Sequence, residues 1–297
     1  MTDPEVPWVE ICRGPANGLC QELGLVLAAA GIEYGYDLDG ETWTLLVPPE
    51  AENRAQQEVA AYRAENLHWP PLPAPVSHLS LRPGAVLGYW AVLLAVHGLQ
   101  THRLFELDWT RLGASDALRL GQGEWWRAVT ALTLHADGEH LLHNLIFGSL
   151  FGLLLAGELG AGLAWLCVVA TGALGNAANA WLQGPEHLSL GASTGVFAGI
   201  GLLMAQQWRG YGQAGSRSLR RWAPPVMAAV FLGYLGTAGE RTDVLAHLTG
   251  LVAGGLAGLG LGGLLARLPR HGRMQFLFGS AALALLAWCW YLALVSR

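Results

Sequence analysis

Four residues in this sequence have the types needed to hydrolyse an acyl bond: Ser193, His247, His140 and Asn144. A serine hydroxyl is a weak nucleophile until a base removes its proton, and imidazole is the usual base because its pKa lies near neutrality. The oxyanion that forms needs hydrogen-bond donors already in place. His140 and Asn144 stand four residues apart, share one face of a helix, and can both donate. The apolar segments carrying Ser193 and His247 contain no acid. Asp243, one turn before His247, reads as an interfacial charge at a helix start, so the set reads as a dyad rather than a triad.

Helices must bring these residues together. From Pro83 onward there are candidate membrane spans at 84–101, 140–157, 159–182, 189–208, 222–239, 244–266 and 274–296. Each approaches the roughly 20 mostly apolar residues that a bilayer requires. Only Glu158 divides the second from the third, which demands a tight turn. Arg209, Arg217, Arg220 and Arg221 follow the fourth span, and Arg267, Arg270 and Arg273 follow the sixth. Alternation puts both loops on one side, and the arginine bias makes that side cytoplasmic. The 102–139 loop is then external, its four arginines counting less in a long loop of mixed charge.

Spans two, four and six therefore start on the outer side, with polar residues in their first turns: His140, His143 and Asn144; Ser193 and Thr194; His247. At about 1.5 Å per residue, Ser193 and His247 are expected roughly 6–8 Å below the outer edge. Polar groups at such depth face a bundle interior or a water-filled cavity. Gly191, Gly195 and Gly199, and Gly250, Gly254, Gly258 and Gly262, recur at every fourth position. Such stripes let helix backbones approach closely, as a Ser–His hydrogen bond of about 2.6–3.2 Å requires.

Composition agrees with membrane embedding: 53% of the 297 residues are hydrophobic and 13% charged, against about 25% charged in soluble domains. The net charge of -5 argues against nucleic acid as a partner. Cys12, Cys20, Cys167 and Cys289 show neither metal spacing nor an even framework, so no disulfide scaffold is expected. The start, MTDPEVPWVE, lacks the features of a signal peptide. Residues 1–66 read as a small cytoplasmic α+β domain of βαββα order. It has a strand at WVEIC, a helix from Asn17 to Ala30, a hairpin about Asp39-Gly40, and a charged helix opening at Pro49. Residues 67–83 read as a proline-rich linker. The fold class is thus an all-α polytopic membrane protein behind a small α+β domain.

Four motifs then carry a family resemblance: GASTGVF (191–197), AHLTGLVAG (246–254), HADGEHLLHN (135–144) and EWWRAVT (124–130). Together they resemble the rhomboid intramembrane serine proteases of the bacterial type. The resemblance implies a six-helix core over 84–266, with 267–297 an additional C-terminal transmembrane helix. It implies Ser193 as nucleophile, His247 as base, and His140, Asn144 and the Ser193 amide as oxyanion donors. Phe197 matches the aromatic residue that stacks on the catalytic imidazole. Trp126 and Arg127 match a structural pair in the first external loop, and His135 a supporting histidine. Gly191 and Gly250 fall within the motifs. The family's usual G-x-S-G is here G-x-S-T-G, and a β-branched Thr194 would crowd the approach of span six.

The implied activity is cleavage of single-span membrane proteins in or near their transmembrane helix. The implied setting is the bacterial cytoplasmic (inner) membrane, with the site opening outward. No cofactor is expected. His135, His140 and His143 suggest a metal cluster, but no HExxH motif accompanies them and no carboxylate lies at that depth in the other spans. A transporter would need a continuous polar path, whereas the polar residues stop near the outer third. A pseudoprotease would lack the serine or the histidine.

Overall fold

The computed structural model describes residues 8–15, 18–39, 42–67, 83–213, 222–236 and 242–296. Gly40, most of the proline-rich linker, Arg217, Arg220, Arg221 and Arg297 lie outside them. The chain divides into two compact units, Met1–Pro75 and Val76–Arg297.

In the first unit the order is β1 (Val9–Pro15), α1 (Leu19–Ala29), β2 (Gly35–Asp39), β3 (Thr42–Val47) and α2 (Glu52–Glu65). Both outer strands pair antiparallel to β3, giving the order β1-β3-β2. Leu23 and Leu27 of α1 and Ala55 and Val59 of α2 cover Leu45 and Val47 of β3, a single apolar face. One expectation fails here: Cys12 and Cys20 form a disulfide, with Cα atoms 5.6 Å apart. The strand–turn–helix connection folds α1 back on β1, so eight residues of sequence separation close into contact range.

The second unit is helical. Its elements are α3 (Leu87–Thr101), the short α4 (Trp109–Gly113), β4 (Ser115–Asp116), α5 (Ala117–Gly121) and α6 (Arg127–Thr130), then α7 (Gly138–Leu159), α8 (Ala161–Gln183) and β5 (Leu188–Ser189). There follow α9 (Ser193–Gln213), α10 (Ala223–Leu235), α11 (Val244–Leu265) and α12 (Arg273–Val295). Among the described residues five helices are long and apolar enough to cross a membrane, those at 84–101, 138–159, 161–183, 244–265 and 273–295.

Two candidate spans differ from that set for visible reasons. α9 ends in the polar run QQWRGYGQ, and it sits centrally against α7, α8, α10 and α11, with Ile200 and Leu202 fully buried. α10 has 13 residues, about 20 Å of helix against a hydrocarbon core of about 30 Å. The turn required beside Glu158 is a single residue: Gly160, with φ of +83°, ends α7 and starts α8.

The glycine stripes set the packing. A β-carbon on Gly250 would lie 2.3 Å from the Thr194 carbonyl oxygen, one on Gly254 1.9 Å from that of Ala198, and one on Gly258 2.6 Å from the Ala205 β-carbon. Partner numbers rise together, so α9 and α11 run parallel, as the expected topology requires. Gly195 and Gly199 of α9 instead face Val168 of α8. The two stripes thus seat α9 between two neighbours.

Candidate active site

Ser193 is the first residue of α9, because residues 188–192 form β5 and a turn rather than the expected first turns of helix. Gly191 makes that turn at φ +134°, and its N–H donates to Ala131 O at 2.9 Å. A side chain there would be strained and would also collide with a neighbour. A β-carbon would lie 2.7 Å from Cε1 and 2.8 Å from Nε2 of His140, and 3.5 Å from Ser193 Oγ. The His140 ring edge therefore sits over Gly191, next to the serine hydroxyl.

His247 is buried on the first turn of α11 and stacks on Phe197, with ring centroids 4.5 Å apart and planes at 24°. Its Nδ1 is 2.9 Å from Gly236 O. A carbonyl only accepts, so Nδ1 carries the proton and Nε2 is left as the free base. That is the protonation state a general base needs, and a backbone carbonyl supplies the orientation that a triad takes from a carboxylate. Asp243 acts elsewhere: it caps α11 by accepting the Ala246 N–H at 3.0 Å. Burial works to raise the Asp243 carboxyl, but hydrogen bonds from Ala246, Asn179, His187 and Ser189 outweigh it and hold the group below the usual range.

Ser193 and His247 share one level of two parallel helices, next to the Thr194–Gly250 contact, and no hydrogen bond joins them among the described residues. Catalytic hydrogen bonds often tighten only once substrate binds. Asn144 is buried, and its Nδ2 donates to its own helix at His140 O, 3.0 Å. One N–H of that amide remains to donate elsewhere. Tyr89 fixes the same turn by donating to Asn144 O at 2.7 Å. His143 is exposed. Among the described residues no group of three His, Cys, Asp or Glu is arranged to hold a metal ion.

The remaining residues serve as supports. His135 is fully buried between the 102–137 segment and the Gly191 turn before Ser193, with Nε2 3.5 Å from Ala192 N. Burial, then the neighbouring His140 and His97, lower its pKa to about 3, so it stays neutral. Arg127 is 2% exposed, donates from Nε to Glu124 at 2.5 Å, and bonds the carbonyls of Arg111 and Ala114 at 3.0 and 3.1 Å. It thus ties together the loop whose β4 pairs with β5. Arg127→Ala leaves the Arg111 and Ala114 carbonyls without their donor, while the half-buried Glu124 keeps Arg119 3.6 Å away, and is expected to destabilise by about 1–3 kcal/mol. Arg127→Lys, lacking the planar fork, should not restore the loss in thermal unfolding. Trp126 is half-buried beside it.

Thr194 does not crowd α11. It is 2% exposed, and its γ-methyl lies against Gly175 of α8 and Gly250 of α11, where β-carbons would come within 2.9 and 3.1 Å of it. The two glycines make the room that the usual glycine would otherwise leave empty. Reading the sequence missed Gly236, Tyr89, Asn179 and His187. Of these, only Asn179, polar within an apolar span and four residues before Gln183, left a legible signal.

Comparison with known proteins covers this helical part. The Rhomboid domain family matches residues 122–264. The putative rhomboid protease YdcA of Bacillus subtilis is 26% identical over 57% of this chain and 82% of its own length. Rhomboid-like protease 3 of Toxoplasma gondii is 31% identical over 48% of this chain and 54% of its own. Rhomboid protease GluP of Bacillus subtilis is 29% identical over 54% of this chain and 30% of its own. The chain thus spans most of the first relative and about half or less of the other two. No solved structure matches. The domain match lies across α7, α8, α9 and α11, and this helical part is similar to the rhomboid-family intramembrane proteases.

Proposed function

We propose that this protein cleaves single-span membrane proteins in or near their transmembrane helix, using Ser193 and His247 as a dyad. The observation that carries the reading is the glycine-spaced parallel contact of α9 and α11, which holds His247 under Phe197 at the level of Ser193. Ser193 Oγ attacks the substrate carbonyl carbon as His247 Nε2 takes its proton. The resulting oxyanion is met by the Ser193 N–H at the start of α9, where backbone donors lack helical partners, and by His140 and Asn144. His247 returns the proton to the leaving amine. Water then repeats the sequence on the acyl-enzyme and frees Ser193. The substrate helix must unwind locally, because its carbonyls are otherwise held in helical hydrogen bonds.

The test is labelling of detergent-purified protein by a fluorophosphonate, together with cleavage of a single-span substrate in proteoliposomes. Labelling at Ser193 and cleavage are expected; folded protein that does neither overturns the reading.

The same reading places the site on the outer side of a bacterial inner membrane and the N-terminal domain in the cytoplasm, on the strength of the arginine-rich loops. The cytosol keeps thiols reduced. The Cys12–Cys20 bridge is therefore expected to be open in cells, both thiols being captured when cells are quenched and denatured in maleimide because Cys20 is buried in the folded domain, and to close only after lysis in oxidising buffer. A bridge already closed in cells would reverse the orientation.

A further inference from the structure

A polar cluster at the Ser193 end of α8 and α11 takes no part in the chemistry above. Asp243 is its centre. Besides capping α11, its carboxylate accepts from Asn179 Nδ2 at 2.7 Å and Gln183 Nε2 at 3.1 Å, and lies 2.8 Å from His187 Nε2. Asn179 and Gln183 are one turn apart at the end of α8, so both amides address the same carboxylate. Asn179 is fully buried, and its Nδ2 is also 3.3 Å from His187 Nε2.

His187 joins this cluster to the nucleophile. Its carbonyl accepts the Ala117 N–H at 3.0 Å, and the next two residues, β5, pair with β4. Four residues beyond β5 lies Ser193. The strand that delivers the serine is thus fastened through its backbone to the preceding loop and through the His187 side chain to the helix that carries His247. Within α11 the His247 N–H bonds Asp243 O at 3.2 Å, so Asp243 and His247 move as one turn.

This fastening matters because the α9–α11 contact is a glycine seam. Backbones touch at Gly250, Gly254 and Gly258, and at the Ser193 end the Thr194 methyl and the Phe197–His247 stack also cross the seam, so a shift along the axis there would carry His247 away from Ser193. At the far end Arg209 donates to Leu259 O at 2.6 Å. At the near end the fastening is the Asp243 cluster.

We propose that His187 and Asp243 are positioning residues that set the depth of His247 against Ser193. The proposal rests on the reading of Ser193 and His247 as the reacting pair.

The full chain, purified in detergent, is compared with His187→Ala, His187→Gln and Asp243→Asn. Three quantities are read: the fluorophosphonate labelling rate, kcat and KM on a single-span substrate, and the thermal midpoint. Misplacement by about 1 Å can cost about 100-fold, so His187→Ala is expected to slow labelling and kcat by roughly 10- to 100-fold. KM should stay within about twofold, as for an interaction that acts on the transition state. His187→Gln, whose amide reaches Asp243 with an N–H, should recover most of the rate. Combining His187→Ala with Asp243→Asn should cost little more than the worse single change, since one contact is lost in each.

Labelling of His187→Ala at the wild-type rate, a loss confined to KM, or His187→Gln as slow as His187→Ala overturns the proposal. Should Asp243→Asn fail to fold for want of its cap, the two His187 variants decide the matter, because His187 caps no helix. Wild-type protein that does not label refutes the Ser193 reading itself, and is told apart from a clasp that fails in a protein that labels.

Discussion

His247→Ala is expected to reduce peptide hydrolysis by about 10⁴-fold or more, and adding Ser193→Ala to it should cost almost nothing further. The reason is that the two groups act as a unit: without the base the hydroxyl keeps its proton, and without the hydroxyl the base has nothing to activate. Single-turnover cleavage in proteoliposomes measures this directly, because it isolates chemistry from product release. The structure sharpens the expectation in two ways. His247 is oriented by Gly236 O and by the Phe197 ring, so Phe197→Ala should leave a measurable residual rate while His247→Ala should not. Asp243 does not touch the His247 ring but caps its helix, so Asp243→Asn should fall far short of the His247→Ala loss. An Asp243→Asn variant as inactive as His247→Ala would turn the dyad back into a triad. A His247→Ala variant that cleaves at the wild-type rate would remove the base assignment altogether.

The convergence of the residues proposed as a dyad was legible in the sequence because its signals are local and periodic. Polar residues in the first turns of three apolar segments, together with the alternation of spans, placed Ser193, His247, His140 and Asn144 at one end of the bundle without any tertiary information. The fourfold spacing of Gly250, Gly254 and Gly258 likewise announced close packing, and α11 meets α9 through these glycines. The choice of neighbour was not legible. Gly195 and Gly199 belong to the same pattern but face Val168 of α8, because α9 is central and must present small faces on two sides. The Cys12–Cys20 bridge escaped because an eight-residue spacing matches no metal or framework pattern, and only the fold of α1 onto β1 closes it. Gly236 left no trace because its contribution is a backbone carbonyl, which every residue has. Thr194 looked like an obstacle from its own side chain alone. The space it needs is provided by Gly175, nineteen residues earlier on another helix.

The seam gives the second large effect, with opposite signs on one helix. Gly254→Ala puts a β-carbon 1.9 Å from the Ala198 carbonyl oxygen, and Gly250→Ala puts one 2.3 Å from that of Thr194. Both obstacles are backbone, so neither can swing aside and α11 must move away from α9. Overpacking of this kind typically costs about 1–3 kcal/mol, occasionally more. Because displacement of about 1 Å can cost about 100-fold in rate, Gly250→Ala should lose most activity even where the protein remains folded. Gly255 and Gly260 lie on the other face of α11, where an added β-carbon would meet nothing within 4 Å. There the same substitution only improves helix propensity, by roughly 0.5–1 kcal/mol, and should raise the thermal midpoint with labelling at Ser193 unchanged. Four alanine variants on one helix therefore separate by face, two falling in stability and activity and two rising in stability alone. Equal behaviour of Gly254→Ala and Gly255→Ala in thermal unfolding would mean that the backbone contact between α9 and α11 does not hold the dyad together.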